Sequence, residues 1–94
     1  MKLGPGSVVH QASRIASRVI DGQAVVIVMD AQRLHTLNEV GTFVWNQAEE
    51  RVRLGDIAER VSAEYEVTPE QAMSDVLAFT DELVRLGAFE VVDP

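Results

Sequence analysis

The sequence predicts an α+β domain in which a three-stranded antiparallel meander is followed by three helices. Three local signals carry this reading. Asp21-Gly22 separates two β-prone runs, and an Asp-Gly pair suits a two-residue turn with positive φ at both positions. Arg33-Leu34-His35-Thr36-Leu37 passes directly into Asn38, whose side-chain oxygen can accept a backbone N–H left free by a first helical turn. Thr68-Pro69-Glu70-Gln71 offers a cap, a proline at the first helical position and a glutamine three residues after the cap, a capping-box start.

Taken in order, Met1 to residue 12 contains Gly4-Pro5-Gly6-Ser7 and is expected to be a flexible tail, with residues 13–94 forming the domain. The first strand is expected over Ser13–Ile20 and the second over Gln23–Met29. The second contains the apolar run Val25 to Met29, which suggests a central strand covered on both faces or partly covered by a partner. Asp30-Ala31-Gln32 supplies a second turn, and Arg33–Leu37 the third strand. The first helix runs from about Glu39 to Ala48, with Val40, Phe43, Val44 and Ala48 as its apolar stripe and Trp45 widening it. Glu49 to Arg53 reads as a polar link. Leu54, Ile57, Ala58, Val61 and Tyr65 give the second helix a one-sided face. The third helix extends to Leu86, with Gly87 placed as a left-handed C-cap. Its core face is Ala72, Val76, Phe79, Leu83 and Leu86, flanked by a stripe of Met73, Leu77 and Val84. Phe89 to Val92 either adds a terminal strand or packs on the core. Strands followed by helices with short connections favour a small sheet against a three-helix cluster, an arrangement that also resembles a winged helix-turn-helix.

Composition narrows the functions available. Ninety-four residues support one domain, with no second domain to close over a deep catalytic cavity. No apolar run approaches the ~20 residues of a membrane span, and Met1–Ser13 has no secretory h-region. The chain has no cysteine, which removes disulfides, thiol catalysis and thiolate metal sites and fits a cytoplasmic protein. Charge is divided: up to residue 38, Lys2, Arg14, Arg18 and Arg33 against Asp21 and Asp30 leave +2, whereas four arginines against thirteen acids beyond it leave −9. That helical half would repel a phosphate backbone, so nucleic acid is not an expected partner.

Catalytic signals are missing as well. His10 and His35 are the only histidines, His10 falls in the expected tail, and a histidine metal site would have to borrow acids from unrelated segments. There is no Gly-x-Ser-x-Gly elbow and no glycine-rich phosphate loop. Glu49-Glu50 and Asp81-Glu82 are sequence neighbours that point in different directions on a helix. The expectation is a protein without catalytic residues, metal or cofactor. What remains is binding. The third strand lies at a sheet edge unless the terminal residues cover it, and there unpaired N–H and C=O groups can be completed by an extended peptide.

Three stretches, LHTLNEVGTFVW, LGDIAERVSAEYEV and DVLAFTDELVRLGAFE, resemble the PqqD-like family of small peptide chaperones, the RiPP precursor peptide recognition elements. The resemblance covers roughly Ser13 to Val92 and rests on Leu37-Asn38, Gly41, Trp45 and Asp75-Val76 followed by Phe79, Leu83 and Gly87. It implies a winged-helix-like fold that has lost DNA binding. It also implies capture of a precursor's leader segment as an added strand, its side chains entering a groove between the third strand and the third helix. The peptide is then presented to a modifying enzyme, often a radical S-adenosylmethionine enzyme. Carried over by position, the strand side is Arg33, Leu34, His35, Thr36 and Leu37, and the helix side Met73, Val76, Leu77 and Thr80. Members dedicated to pyrroloquinoline quinone synthesis carry a Pro-Glu turn and a more aliphatic segment where this chain has MDAQRLHTLNEVGTFVW, so the resemblance is to the broader family. Two other classes stay open: a winged-helix nucleic-acid binder, and an assembly protein that uses its edge strand to form a homodimer.

Overall fold

Along the chain the elements are β1 (Val8–Gln11), β2 (Ile15–Ile20), β3 (Gln23–Val28), β4 (Arg33–Thr36), α1 (Glu39–Gln47), β5 (Val52–Arg53), α2 (Leu54–Tyr65), α3 (Pro69–Arg85) and β6 (Phe89–Val92). They come from a computed structural model that describes residues 3–29 and 33–92. The α+β class and the three helices are as the sequence reads. The turn expected at Asp30-Ala31-Gln32 lies outside the described residues.

The meander is a sheet of order β2-β3-β4, antiparallel throughout. Asp21 and Gly22 both take positive φ, 54° and 80°, as a two-residue turn of this hand requires. The apolar run of β3 is covered on one face only. Ala24, Val26 and Val28 are buried, while Ile27 and Met29 face out at 37% and 58% exposure.

A second sheet, order β5-β1-β6, was not anticipated. Val8–Gln11 is not a tail but its central strand, with Val9 opposite Val52 on one side and Val91 on the other. The expected polar link contributes β5, and Phe89–Val92 is a strand. Residues 4–7 are also engaged. Arg53, the N-cap of α2, makes no side-chain capping bond. The orphan N–H groups of Leu54 and Gly55 instead donate to the carbonyls of Ser7 and Pro5, each at 2.9 Å. A helix start that lacks its own cap therefore recruits one from the other end of the chain.

The helix ends that do have local signals behave as read. Asn38 Oδ1 accepts from Gly41 N at 2.8 Å and Thr68 Oγ1 from Gln71 N at 3.1 Å. Only half of the capping box is made, because Gln71's own amide donates to Asp75 Oδ1 at 2.9 Å. Gly87 ends α3 with φ of 80°. The core lies between the two sheets and the helices. Trp45 of α1 stacks on Phe89 of β6, centroids 5.4 Å apart and planes 8° off parallel, so the indole is core rather than pocket lining. On α3, Ala72, Val76, Thr80 and Leu83 are the buried residues, with Phe79 and Leu86 half-buried on one side.

Candidate functional site

The junction between β4 and α1 has no loop, and hydrogen bonds hold its register. Leu37 N donates to Ala24 O at 2.8 Å, and Ala24 N donates to Thr42 Oγ1 at 2.8 Å. The Thr42 hydroxyl in turn donates to Leu37 O at 3.3 Å. The buried Thr42 thus relays the second bond of the Leu37–Ala24 pair and ties the start of α1 to β3.

This bond also decides which groups of β4 are free. In an antiparallel ladder, alternate residues bond the neighbour while those between turn N–H and C=O the other way. Leu37 bonds β3, so His35 and Arg33 do too, in register with Val26 and Val28. Leu34 and Thr36 therefore direct their backbone groups away from β3. Among the described residues no strand pairs with that side of β4.

Side-chain alternation then sorts the two walls. Leu34 and Thr36 lie on the outer face beside Ile27 and Val25; Leu34 is 61% exposed. Arg33 and His35 lie on the inner face with Val28 and Val26. The imidazole Nε2 of His35 is buried with no hydrogen-bond partner among the described residues.

The helix side departs from the expectation. Val76 and Thr80 are each 0% exposed and cannot meet a peptide arriving at the surface. Leu37 is likewise buried, and it lies just beyond β4 with its N–H already used. Met73 lines a cleft of about 280 Å³ with Gly55, Ala58, Glu59, Ser62 and Pro69, between α2 and α3. Leu77, four residues on, shares that flank of α3. The flank toward the junction is the opposite one and carries Phe79. A Cβ on Gly41 would stand 2.8 Å from Phe79 Cε1 and 3.2 Å from Asn38 Oδ1, so the ring occupies the space that the glycine leaves at the first turn of α1. Asp75, Glu82 and Leu86 follow Phe79's side at spacings of four, three and seven. The signal was present in the sequence: with Val76 as the buried centre, Phe79 and Leu77 fall to either side of it at 100° per residue.

Among the described residues no group of three or more His, Cys, Asp or Glu could hold a metal ion. No helix among them is long and apolar enough to cross a membrane. The site offers backbone donors and acceptors, an apolar wall and an open edge.

Comparison with known proteins bears on this geometry. The structure is similar to TbiB1 in complex with the TbiA(beta) leader peptide (TM-score 0.82, 24% identity, 90% of this chain and 99% of that one). It is similar to a lasso peptide synthetase B1 complexed with the leader peptide (TM-score 0.78, 20% identity, 87% and 96%). A third similar structure is the PqqD truncation of Methylobacterium extorquens PqqCD, described as a stand-alone RiPP recognition element (TM-score 0.79, 16% identity, 95% of both chains). No curated protein sequence matches. The family described as coenzyme PQQ synthesis protein D matches residues 23–88, from β3 through α3, which includes the β4 edge, Gly41 and Phe79. The chain belongs to the PqqD family.

Proposed function

We propose that this protein captures the leader segment of a ribosomally synthesised precursor peptide as an added strand on β4 and presents it to a modifying enzyme. The observation that carries the reading is the open β4 edge, with the N–H and C=O groups of Leu34 and Thr36 directed away from β3. The leader-peptide complexes among the similar structures support it. The role is binding rather than catalysis, in the cytoplasm, with a radical S-adenosylmethionine enzyme as the partner that acts on the peptide. The family's description names PQQ synthesis, and the departure around MDAQRLHTLNEVGTFVW leaves both that pathway and another precursor open.

Magnitudes show what the edge alone can do. Two residues offer at most four backbone bonds, each worth about 0.5–1.5 kcal/mol net. A micromolar complex needs about 8 kcal/mol. Side chains must supply the rest, which makes the inner groove part of the site. Titration of the isotope-labelled protein with the leader of the precursor encoded beside its gene tests this. Amide shifts at Leu34, Thr36 and the Phe79 flank of α3 are expected; silence there at saturating peptide overturns the proposal.

A second reading, self-association, has its own observation. β2 is also an edge among the described residues, and it exposes Val19 and Ile20 at 56% and 50%. A dimer by light scattering that persists with peptide bound would place self-association on β2 and leave β4 for the leader.

A further inference from the structure

We infer that the β2 edge takes a second copy of this chain, paired antiparallel about a two-fold axis at Ser17. This deepens the self-association reading and rests on it. Met29 N donates to Arg14 O at 3.2 Å, so Ala16, Arg18 and Ile20 also bond β3, opposite Ile27, Val25 and Gln23. Ile15, Ser17 and Val19 therefore turn their N–H and C=O groups outward. Among the described residues no strand meets them. β2 pairs with β3 residue for residue and contains no proline, so neither bulge nor proline blunts this edge.

The edge is complementary to itself. Pairing centred on Ser17 sets Ile15 of one copy opposite Val19 of the other, and the three outward residues each exchange two bonds, six in all. Val19 lies on the inner face across from the buried Ala24, yet it is 56% exposed. Ile15 of the other copy would cover it. An open cleft of about 530 Å³ is lined by Ser13, Arg14, Ile15, Ala16 and Met29. The same register brings Ile20, 50% exposed, level with Arg14 of the other copy, so each hairpin tip meets the other's cleft. Asp21 then stands one position from Arg14, opposite charges that a parallel pairing would hold apart. Moving the centre to residue 18 would set Arg18 against Arg18 of the other copy and leave only four bonds. The joined sheet has the order β4-β3-β2-β2-β3-β4. It keeps a β4 edge at each end, so the dimer is a carrier with two leader sites.

The chain has no cysteine, so Ser17→Cys puts a single thiol at the axis. Its Cα would lie about 5.5 Å from its counterpart, within disulfide reach. Oxidation of the full-length variant with copper–phenanthroline should give a covalent dimer on a non-reducing gel. Ile20→Cys, also exposed, should give none, because it lies opposite Arg14 and far from its counterpart. In sedimentation equilibrium, Ser17→Pro should dimerise about tenfold or more weakly and stay folded, since the lost N–H bonds nothing in the monomer. Thr36→Pro should dimerise as wild type does. Wild type that remains monomeric at about 1 mM overturns the inference and the self-association reading together. A wild-type dimer that cross-links through Ile20→Cys as well as through Ser17→Cys keeps self-association and overturns this pairing. So does a dimer that Ser17→Pro leaves intact; if that variant does not fold, the cross-links decide.

Discussion

The two sheets are built from similar residues and have opposite exposure. In β5-β1-β6, the central strand buries Val9 completely and β6 buries Phe89 under Trp45. It joins strands drawn from both ends and the middle of the chain. In β2-β3-β4, strands adjacent in sequence pair with one another, and Val19, Ile20, Ile27, Met29 and Leu34 remain exposed. The first sheet closes the domain on itself. The second keeps its surface and two strand edges available. A fold of this size carries one core, so stability and recognition are divided between the sheets rather than shared by each.

The sharpest way to break that division is Phe89→Ala, which removes the partner of Trp45. It should cost about 3–5 kcal/mol in urea unfolding, a large share of the ~5–15 kcal/mol typical of a domain. Leu34→Ala in the other sheet should stay within about 0.5 kcal/mol. Comparable losses for the two would end the distinction.

Next comes a pair of prolines one residue apart. Thr36→Pro removes an N–H that faces the open edge and no bond to β3, so the unfolding midpoint should hold. Peptide affinity should fall about tenfold, or about 1.4 kcal/mol. His35→Pro removes an N–H that bonds β3 and should lower stability. Equal stabilities would mean that the alternation along β4 is assigned the wrong way round.

Asn38→Ala is a smaller change, about 1 kcal/mol from the lost cap. It should also raise amide exchange at Thr36 and Gly41 more than at β1. The smallest effect concerns Tyr65, packed edge-on against Phe43. Burial raises its hydroxyl pKa above the usual 10.0, with Glu39 and Glu64 adding to the shift. The folded state thus favours the neutral phenol, a contribution present below pH 10 and lost as pH rises through the higher folded value. From about pH 9 to about pH 11, wild type should lose more stability than Tyr65→Phe; parallel curves would remove Tyr65 from the account.

Some of this was legible beforehand. The hairpin turn, the caps at Asn38 and Thr68 and the apolar faces of the three helices are local: the bonds that make them join residues a few positions apart. So was the edge position of β4, because consecutive hairpins leave the last strand outermost. The second sheet was not legible. β1 and β5 have four and two residues, too few for a periodicity, and their partners lie more than 40 residues away. Glycine and proline at residues 4–6 suggested a tail, whereas the carbonyls of Pro5 and Ser7 cap α2.

The sequence by itself determined where strands and helices start, that the helical half is acidic, and which family the chain resembles. Each depends on composition or on neighbours along the chain. Only the tertiary structure decided that Thr80 and Leu37 are core, that Met73 faces α2, and that Phe79 packs beside Gly41 of α1. A helix carries two flanking stripes of equal apolar character, and nothing within it says which flank meets the sheet. The packing of α3 against α2 on one side, and the space left by Gly41 on the other, settles that choice.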